Sequence, residues 1–144
     1  MIRQFGMNDL DNCTKLFCEV FNREPWNDSW SDNNAKEYLL DYVNSPGFIG
    51  LVAYHDEQTI GFIFGHSKKW WKGVEYYIDE MCVHPQFQRQ GIGSRLFKSL
   101  ETELSAKGIH TITLLTNRDV PAESFYKKND FFEIESIVFL AKNI

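Results

Sequence analysis

The sequence predicts one α/β domain built on a mixed, mostly antiparallel sheet flanked by helices, and three observations carry that expectation. Phe48–His55, Thr59–Trp70 and Val74–Val83 are strand-like runs in series, joined by Asp56-Glu57-Gln58 and Trp71-Lys72-Gly73, the layout of an antiparallel meander. A glycine turn after the third run opens an amphipathic helix, so the strand expected next, Ile112–Thr116, lies parallel to Val74–Val83 through a right-handed crossover. No linker, repeat or low-complexity run breaks the 144 residues, a length that suits one domain with one core.

The remaining elements follow from local patterns. Ile2–Phe5 is a short first strand, and Asp9 or Asp11 can cap a helix whose Leu10, Cys13, Leu16, Phe17, Val20 and Phe21 recur at helical spacing. Asn22–Trp30 carries turn chemistry with two tryptophans, and the next helix presents Ala35, Tyr38, Leu39, Tyr42 and Val43 on one side until Ser45-Pro46-Gly47 stops it. After the glycine turn, Ile92, Leu96, Phe97, Leu100 and Leu104 form an apolar stripe that ends at Gly108. Pro121–Asn129 is the last helix, and Phe132–Ile134 with Val138–Lys142 is expected to form a final strand pair.

Composition excludes several classes. The three cysteines, Cys13, Cys18 and Cys82, are odd in number, sit in apolar patterns and lack metal-ligand spacing, so no disulfide framework and no metal site is expected, in keeping with a reducing compartment. No apolar run approaches membrane-spanning length and the first residues lack an apolar signal core, so the expected location is cytoplasmic, without membrane association. A net charge of −5 disfavours nonspecific nucleic-acid binding and favours cationic partners.

The chemistry begins at Gln88-Arg89-Gln90-Gly91-Ile92-Gly93-Ser94. Amides at a helix start have no intrahelical acceptor and feel the positive end of the helix dipole, so a strand–glycine–helix junction is where a pyrophosphate can bind. Glycines at 91 and 93 clear side chains from the amides, and Arg89 adds a full charge. A plain tight turn is the competing reading. Two other phosphate loops fail on spacing: a dinucleotide fingerprint wants a small residue where Leu96 stands, and a P-loop wants an absent Gly-Lys-Ser/Thr.

The pattern Gln-x-x-Gly-x-Gly, preceded by Asp79-Glu80-Met81-Cys82-Val83-His84-Pro85 and followed by Ser94-Arg95-Leu96-Phe97, resembles the signature of the GCN5-related N-acetyltransferase (GNAT) family. Val120-Pro121-Ala122-Glu123-Ser124-Phe125-Tyr126 downstream resembles that family's last helix, and the likeness runs over roughly residues 48 to 142. Asp130 stands before Phe131 where the family usually has glycine, a position that needs a left-handed backbone, which Asp tolerates better than most residues.

The resemblance implies the acyl-CoA N-acyltransferase fold, a single N-acetyltransferase domain over residues 1–144, and acetyl-CoA as cosubstrate. It implies that backbone groups of Met81, Cys82 and Val83 hold the pantetheine arm, that the amides of Gln88, Arg89, Gln90, Gly91, Ile92, Gly93 and Ser94 hold the pyrophosphate, and that Asn117 reaches the arm from the next strand. Tyr126 matches the residue that protonates the departing thiolate. For the base, Asp79 matches the family position and Glu80 is the second candidate; period-two alternation places them on opposite faces of the strand. Cys82 reads as a core residue, since transfer in the family is direct.

Trp26, Trp30 and Asp28, with Trp70 and Trp71, offer aromatic faces and carboxylates that suit an ammonium group or, alternatively, merely cover the core. Phe48-Ile49-Gly50, Gly61-Phe62-Ile63-Phe64-Gly65 and Pro25-Trp26 resemble the aminoglycoside 6'-acetyltransferase-like branch. The expected acceptor is the primary amine of a small cationic molecule; a protein or peptide amine, or a noncatalytic acyl-CoA-binding role, are the alternatives. A monomer and a homodimer are both compatible with the sequence.

Overall fold

The computed structural model of the chain describes residues 1–144. Its centre is a five-stranded sheet in the order β1-β2-β3-β4-β5, made of β1 (Ile2–Gln4), β2 (Phe48–His55), β3 (Gln58–Trp70), β4 (Gly73–Val83) and β5 (Ile112–Thr113). The first three pairings are antiparallel and β4–β5 is parallel, as a helical connection between those two strands requires. No helix is long and apolar enough to cross a membrane.

Helices cover both faces because the strands are apolar on both. On one face, α1 (Leu10–Phe21) and α2 (Asp32–Val43) pack Cys13, Phe17, Ala35 and Leu39 against Val52, Phe62, Phe64 and Cys82. On the other, α3 (Ile92–Ala106) and α4 (Pro121–Lys128) lie over Leu51, Ile63, Tyr76 and Ile78, with the α3 stripe Ile92, Leu96, Phe97, Leu100 and Leu104 buried as its spacing predicts. Ser31 caps α2 by accepting from the Asn34 amide at 3.1 Å. Asp9 stands at the start of α1 without capping it; its carboxylate is held instead by two 2.7 Å hydrogen bonds from Arg3 and one of 2.8 Å from the Gly6 amide.

Two expectations fail here. The strand expected at Ile112–Thr116 pairs only over Tyr76↔Ile112 and Tyr77↔Thr113, so β4 and the chain after β5 part beyond that point. The final strand pair expected from Phe132–Ile134 and Val138–Lys142 does not form, because no strand edge of the same chain lies alongside those residues; Phe132, Phe139 and Leu140 are exposed.

The β3–β4 register slips between Phe64 and Gly65: Phe64 faces Glu80 but Gly65 faces Ile78, leaving Asp79 as the extra residue of a β-bulge. Gly65 is required on this stretch. A β-carbon there would run into the ring of Tyr76 and the carbonyl of Tyr77, and Tyr76 is fully buried with its hydroxyl donating to the Ile49 carbonyl at 2.7 Å. Gly65→Ala is therefore expected to lower stability by about 1–3 kcal/mol. Urea denaturation checks it, and an unchanged midpoint would mean that the Tyr76 ring moves aside freely.

Candidate active site

The bulge decides which side chains meet. Tyr76 and Ile78 belong to the α3 face, Cys82 belongs to the α1–α2 face, and strict alternation would split Asp79 from Glu80. The extra residue cancels one step. Asp79 contacts His66 of β3 and Glu80 contacts Tyr38 of α2, so both carboxylates open on the α1–α2 side, which corrects the expectation of opposite faces.

Around them is a continuous aromatic and acidic cluster. Tyr38 donates a short hydrogen bond to Glu80 Oε1, and Tyr42 donates to the Tyr38 hydroxyl at 2.9 Å. Trp30 packs on Tyr38 with ring centres 4.8 Å apart, and its indole N–H donates to Asp28 at 3.1 Å. Trp30 and Asp28 thus reach the Glu80 cluster. Trp26 packs one step further out, on Phe21 at 5.5 Å, while Trp70 and Trp71 project at the β3–β4 hairpin, 58% and 78% exposed.

Burial pushes the Glu80 carboxyl up to about 7; the Tyr38 hydrogen bond opposes that shift, and the charges of Asp79 and Asp28 add to it. Glu80 is therefore poised to exchange a proton near neutrality. Asp79 is also raised by burial, but its Oδ2 lies 2.7 Å from His66 Nδ1, which lowers it again. Composition and motif matching passed over His66, Tyr38 and Tyr42. Their signal was present: His66 continues the Phe62, Phe64 alternation of β3, and Tyr38 and Tyr42 stand four apart on one face of α2.

Where β4 parts from the chain after β5, its free edge is exposed to a ligand. The His84 amide donates to Ile60 on the β3 side at 2.7 Å, so alternation turns the backbone of Cys82 toward β3 and that of Met81 and Val83 toward the free edge. Cys82 thus offers no free backbone group. Its side chain is buried in the α1–α2 core, and its thiol is pushed well up by burial, which keeps it protonated. Gln88 Nε2 donates to the Val83 carbonyl at 3.0 Å and closes one end of that edge.

The glycine turn has the form an anion needs. Every amide from Arg89 to Ser94 donates to no group of the protein; the first bond of α3 runs from the Arg95 amide to the Gly91 carbonyl at 3.0 Å. Gly91 has a φ of +80° and Arg89 a φ of +63°, which curls these amides in one direction, and a β-carbon on Gly91 would meet nothing within 4 Å. Gly93 has a different purpose from the expected one. A β-carbon there would come within 2.6 Å of the Phe125 ring, so its absence lets α4 seat against α3.

That seat fixes Tyr126. Phe125 stacks on Phe97 at 5.5 Å, Phe131 packs on Phe97 at 5.2 Å, and the turn between closes with the Phe131 amide donating to the Tyr126 carbonyl at 3.1 Å. Asp130 takes the left-handed conformation expected of it, with φ at +69°. The Tyr126 hydroxyl donates to no protein group, and burial, helped by the charge of Glu80, pushes it up to about 12. It is a protonated donor at neutral pH on the opposite side of the sheet from Glu80, across the notch. Asn117 lies exposed in the chain past β5.

A mixed α/β sheet that parts beside β4, with a glycine turn of free amides at the start of α3 and helices on both faces, is the class of fold these residues build. The chain belongs to the acetyltransferase (GNAT) family, whose family model matches residues 10–131. It is 31% identical over 106 residues to an uncharacterized N-acetyltransferase, ycf52, of Pyropia yezoensis, a match covering 72% of this chain and 58% of that protein. The chain thus spans less than two thirds of that relative. It is 24% identical over 123 residues to a thialysine N-epsilon-acetyltransferase of Bos taurus, covering 79% of this chain and 72% of that one.

Its fold matches an aminoglycoside acetyltransferase from an uncultured soil metagenomic sample in complex with sisomicin, with a TM-score of 0.79 at 23% identity over 100% of this chain and 95% of the other. The aminoglycoside N-acetyltransferase AAC(6')-Iy in complex with CoA superposes with a TM-score of 0.79 at 17% identity, over 100% and 95% of the two chains. The fold is the GNAT fold, and the family uses acetyl-CoA.

Proposed function

We propose that residues 1–144 form a single N-acetyltransferase domain that transfers acetyl from acetyl-CoA directly to the primary amine of a small cationic molecule. The observation that carries the reading is the cluster of Glu80, Asp79, Asp28, Trp30, Tyr38 and Tyr42 beside the free edge of β4: carboxylates and aromatic faces together suit an ammonium-bearing acceptor. Relatives named for thialysine and neighbours named for aminoglycosides, both small amines, support the same acceptor class.

The residues fit the donor. The unpartnered amides of Arg89 to Ser94 would take the pyrophosphate, and the outward backbone of Met81 and Val83 would pair with the pantetheine amides as a neighbouring strand does, with Asn117 reaching the arm from the other side. Acetyl-CoA, when bound, supplies an acetyl thioester, whose C–S bond breaks as the new amide bond forms.

Glu80 takes the proton that the acceptor nitrogen must lose, directly or through water, because its carboxyl titrates near the working pH. Asp79 holds His66 and adds negative charge to the pocket. Tyr126, protonated throughout, donates a hydrogen bond to the sulfur as charge develops on it.

A thiol-release screen with acetyl-CoA against polyamines, aminoglycosides, lysine analogues and short peptides tests the reading. Turnover of one or more small amines, with peptides inert, is expected. Turnover of peptides alone would transfer the assignment to a protein acetyltransferase, and calorimetric CoA binding without any turnover would make the domain a noncatalytic binder.

A further inference from the structure

Asp9, Thr14 and His84 are the polar residues buried in this chain. Asp9 is taken up by Arg3 and the Gly6 amide, and Thr14 donates within its own helix to the Leu10 carbonyl at 2.8 Å. His84 alone of the three joins separate layers of the fold. Its amide continues the β3–β4 ladder to the Ile60 carbonyl, its ring packs edge-on against Phe87 with centres 5.7 Å apart, and both ring nitrogens have partners.

Those partners fix the state of the ring. Nδ1 lies 3.1 Å from the Gln86 amide, which can only donate, so Nδ1 carries the lone pair and the proton of the neutral ring sits on Nε2. Nε2 is 3.2 Å from Oε1 of Glu19 on α1, a carboxylate placed to accept that hydrogen bond. One buried side chain thereby ties the last turn of α1 to the short 3-10 turn Pro85–Phe87.

That turn leads directly into the free amides of Arg89 to Ser94. The Phe87 amide donates back to the His84 carbonyl at 2.8 Å, and the side chains of Gln88 and Gln90 donate at 3.0 Å to the carbonyls of Val83 and Gln86. All these ties end on residues 83–86, so the left-handed curl at Arg89 and Gly91 hangs from the stretch that His84 caps. Without Nδ1 the partly buried Gln86 amide has no acceptor.

We propose that His84 is a positioning residue of the donor turn, its Nδ1 holding the Gln86 amide and Glu19 holding its Nε2–H, so that the amides of Arg89 to Ser94 are arranged before the donor arrives. This role rests on the placement of the acetyl-CoA pyrophosphate at those amides. A turn ordered in advance spares the ligand the cost of ordering it.

Calorimetry with CoA on the full chain, with steady-state kinetics on an amine found by the thiol-release screen, tests the assignment. His84→Ala should raise the CoA Kd and the acetyl-CoA KM about 10-fold while kcat stays within about 3-fold of wild type, since the substitution leaves Glu80 and Tyr126 in place. His84→Asn should bring both constants back to within about 3-fold of wild type, because an asparagine oxygen accepts from the amide two residues on. Asparagine restores the acceptor but not the ring, so this rescue separates a cap from core packing. Circular dichroism verifies folding; should the alanine chain not fold, His84→Phe, which keeps a ring against Phe87 but neither nitrogen, is expected to give the same rise. Nitrogen–proton NMR of the wild-type imidazole should place the proton of the neutral ring on Nε2. Wild-type CoA affinity in the alanine or phenylalanine chain, an asparagine chain no better than these, or a proton on Nδ1 would each overturn the role of His84. A wild-type chain that binds CoA no better than pantetheine would instead overturn the pyrophosphate placement beneath it.

Discussion

Glu80→Gln is expected to lower the maximal rate by roughly 10²- to 10⁴-fold and to abolish the acidic limb of the pH profile, because glutamine keeps the shape of the side chain but cannot accept a proton. The wild-type limb should lie near the value of about 7 to which burial raises this carboxyl, with activity rising as pH passes through it. The stability effect has the opposite sign to a structural role. A carboxyl raised from 4.5 to about 7 stays protonated in the folded chain while the unfolded chain has already lost its proton, so its contribution is fully present below pH 4.5 and is lost as pH rises through 7. Glutamine avoids the buried charge and still accepts from Tyr38. The variant should therefore be at least as stable as wild type at pH 8, measured by urea denaturation, while nearly inactive. Full activity with the limb intact would move the base to the His66–Asp79 pair or to water, and His66→Asn would then separate those two.

Tyr126→Phe is expected to reduce the maximal rate by roughly 10²- to 10⁴-fold with acetyl-CoA affinity nearly unchanged. The reason is geometric. The Tyr126 ring is packed among Phe97, Phe125 and Phe131, which phenylalanine retains, whereas the hydroxyl donates to no protein group, so the substitution removes only the donor proposed for the departing sulfur. A phenol raised to about 12 remains a donor across the neutral range, so the defect should be independent of pH between 6 and 9, unlike that of Glu80→Gln. Wild-type turnover at saturating substrates would remove Tyr126 from the reaction, and a parallel loss of CoA affinity would mark it as a binding residue.

The sequence by itself determined the layers of this fold and the place of the glycine turn. Heptad-like stripes in α1 and α3, the meander of β2 to β4 and the glycine turn are local patterns, set by side-chain period and backbone freedom within a few residues, and each appears where its pattern stands. The left-handed Asp130 followed from the same local chemistry.

Three things depended on partners far away in the chain. Asp79 and Glu80 share a face only because β4 bulges against β3 where Tyr76 must pass beneath Gly65, and alternation along one strand carries no information about a bulge imposed by another. Glu80 acquires its raised carboxyl from burial and from the charges of Asp79 and Asp28, against the opposing hydrogen bond from Tyr38, 42 residues away. Gly93 is glycine for the sake of Phe125 on a different helix. The residues after α4 have a strand's sequence without a strand's neighbour: pairing needs a second edge, and alternation specifies the strand but never who supplies it.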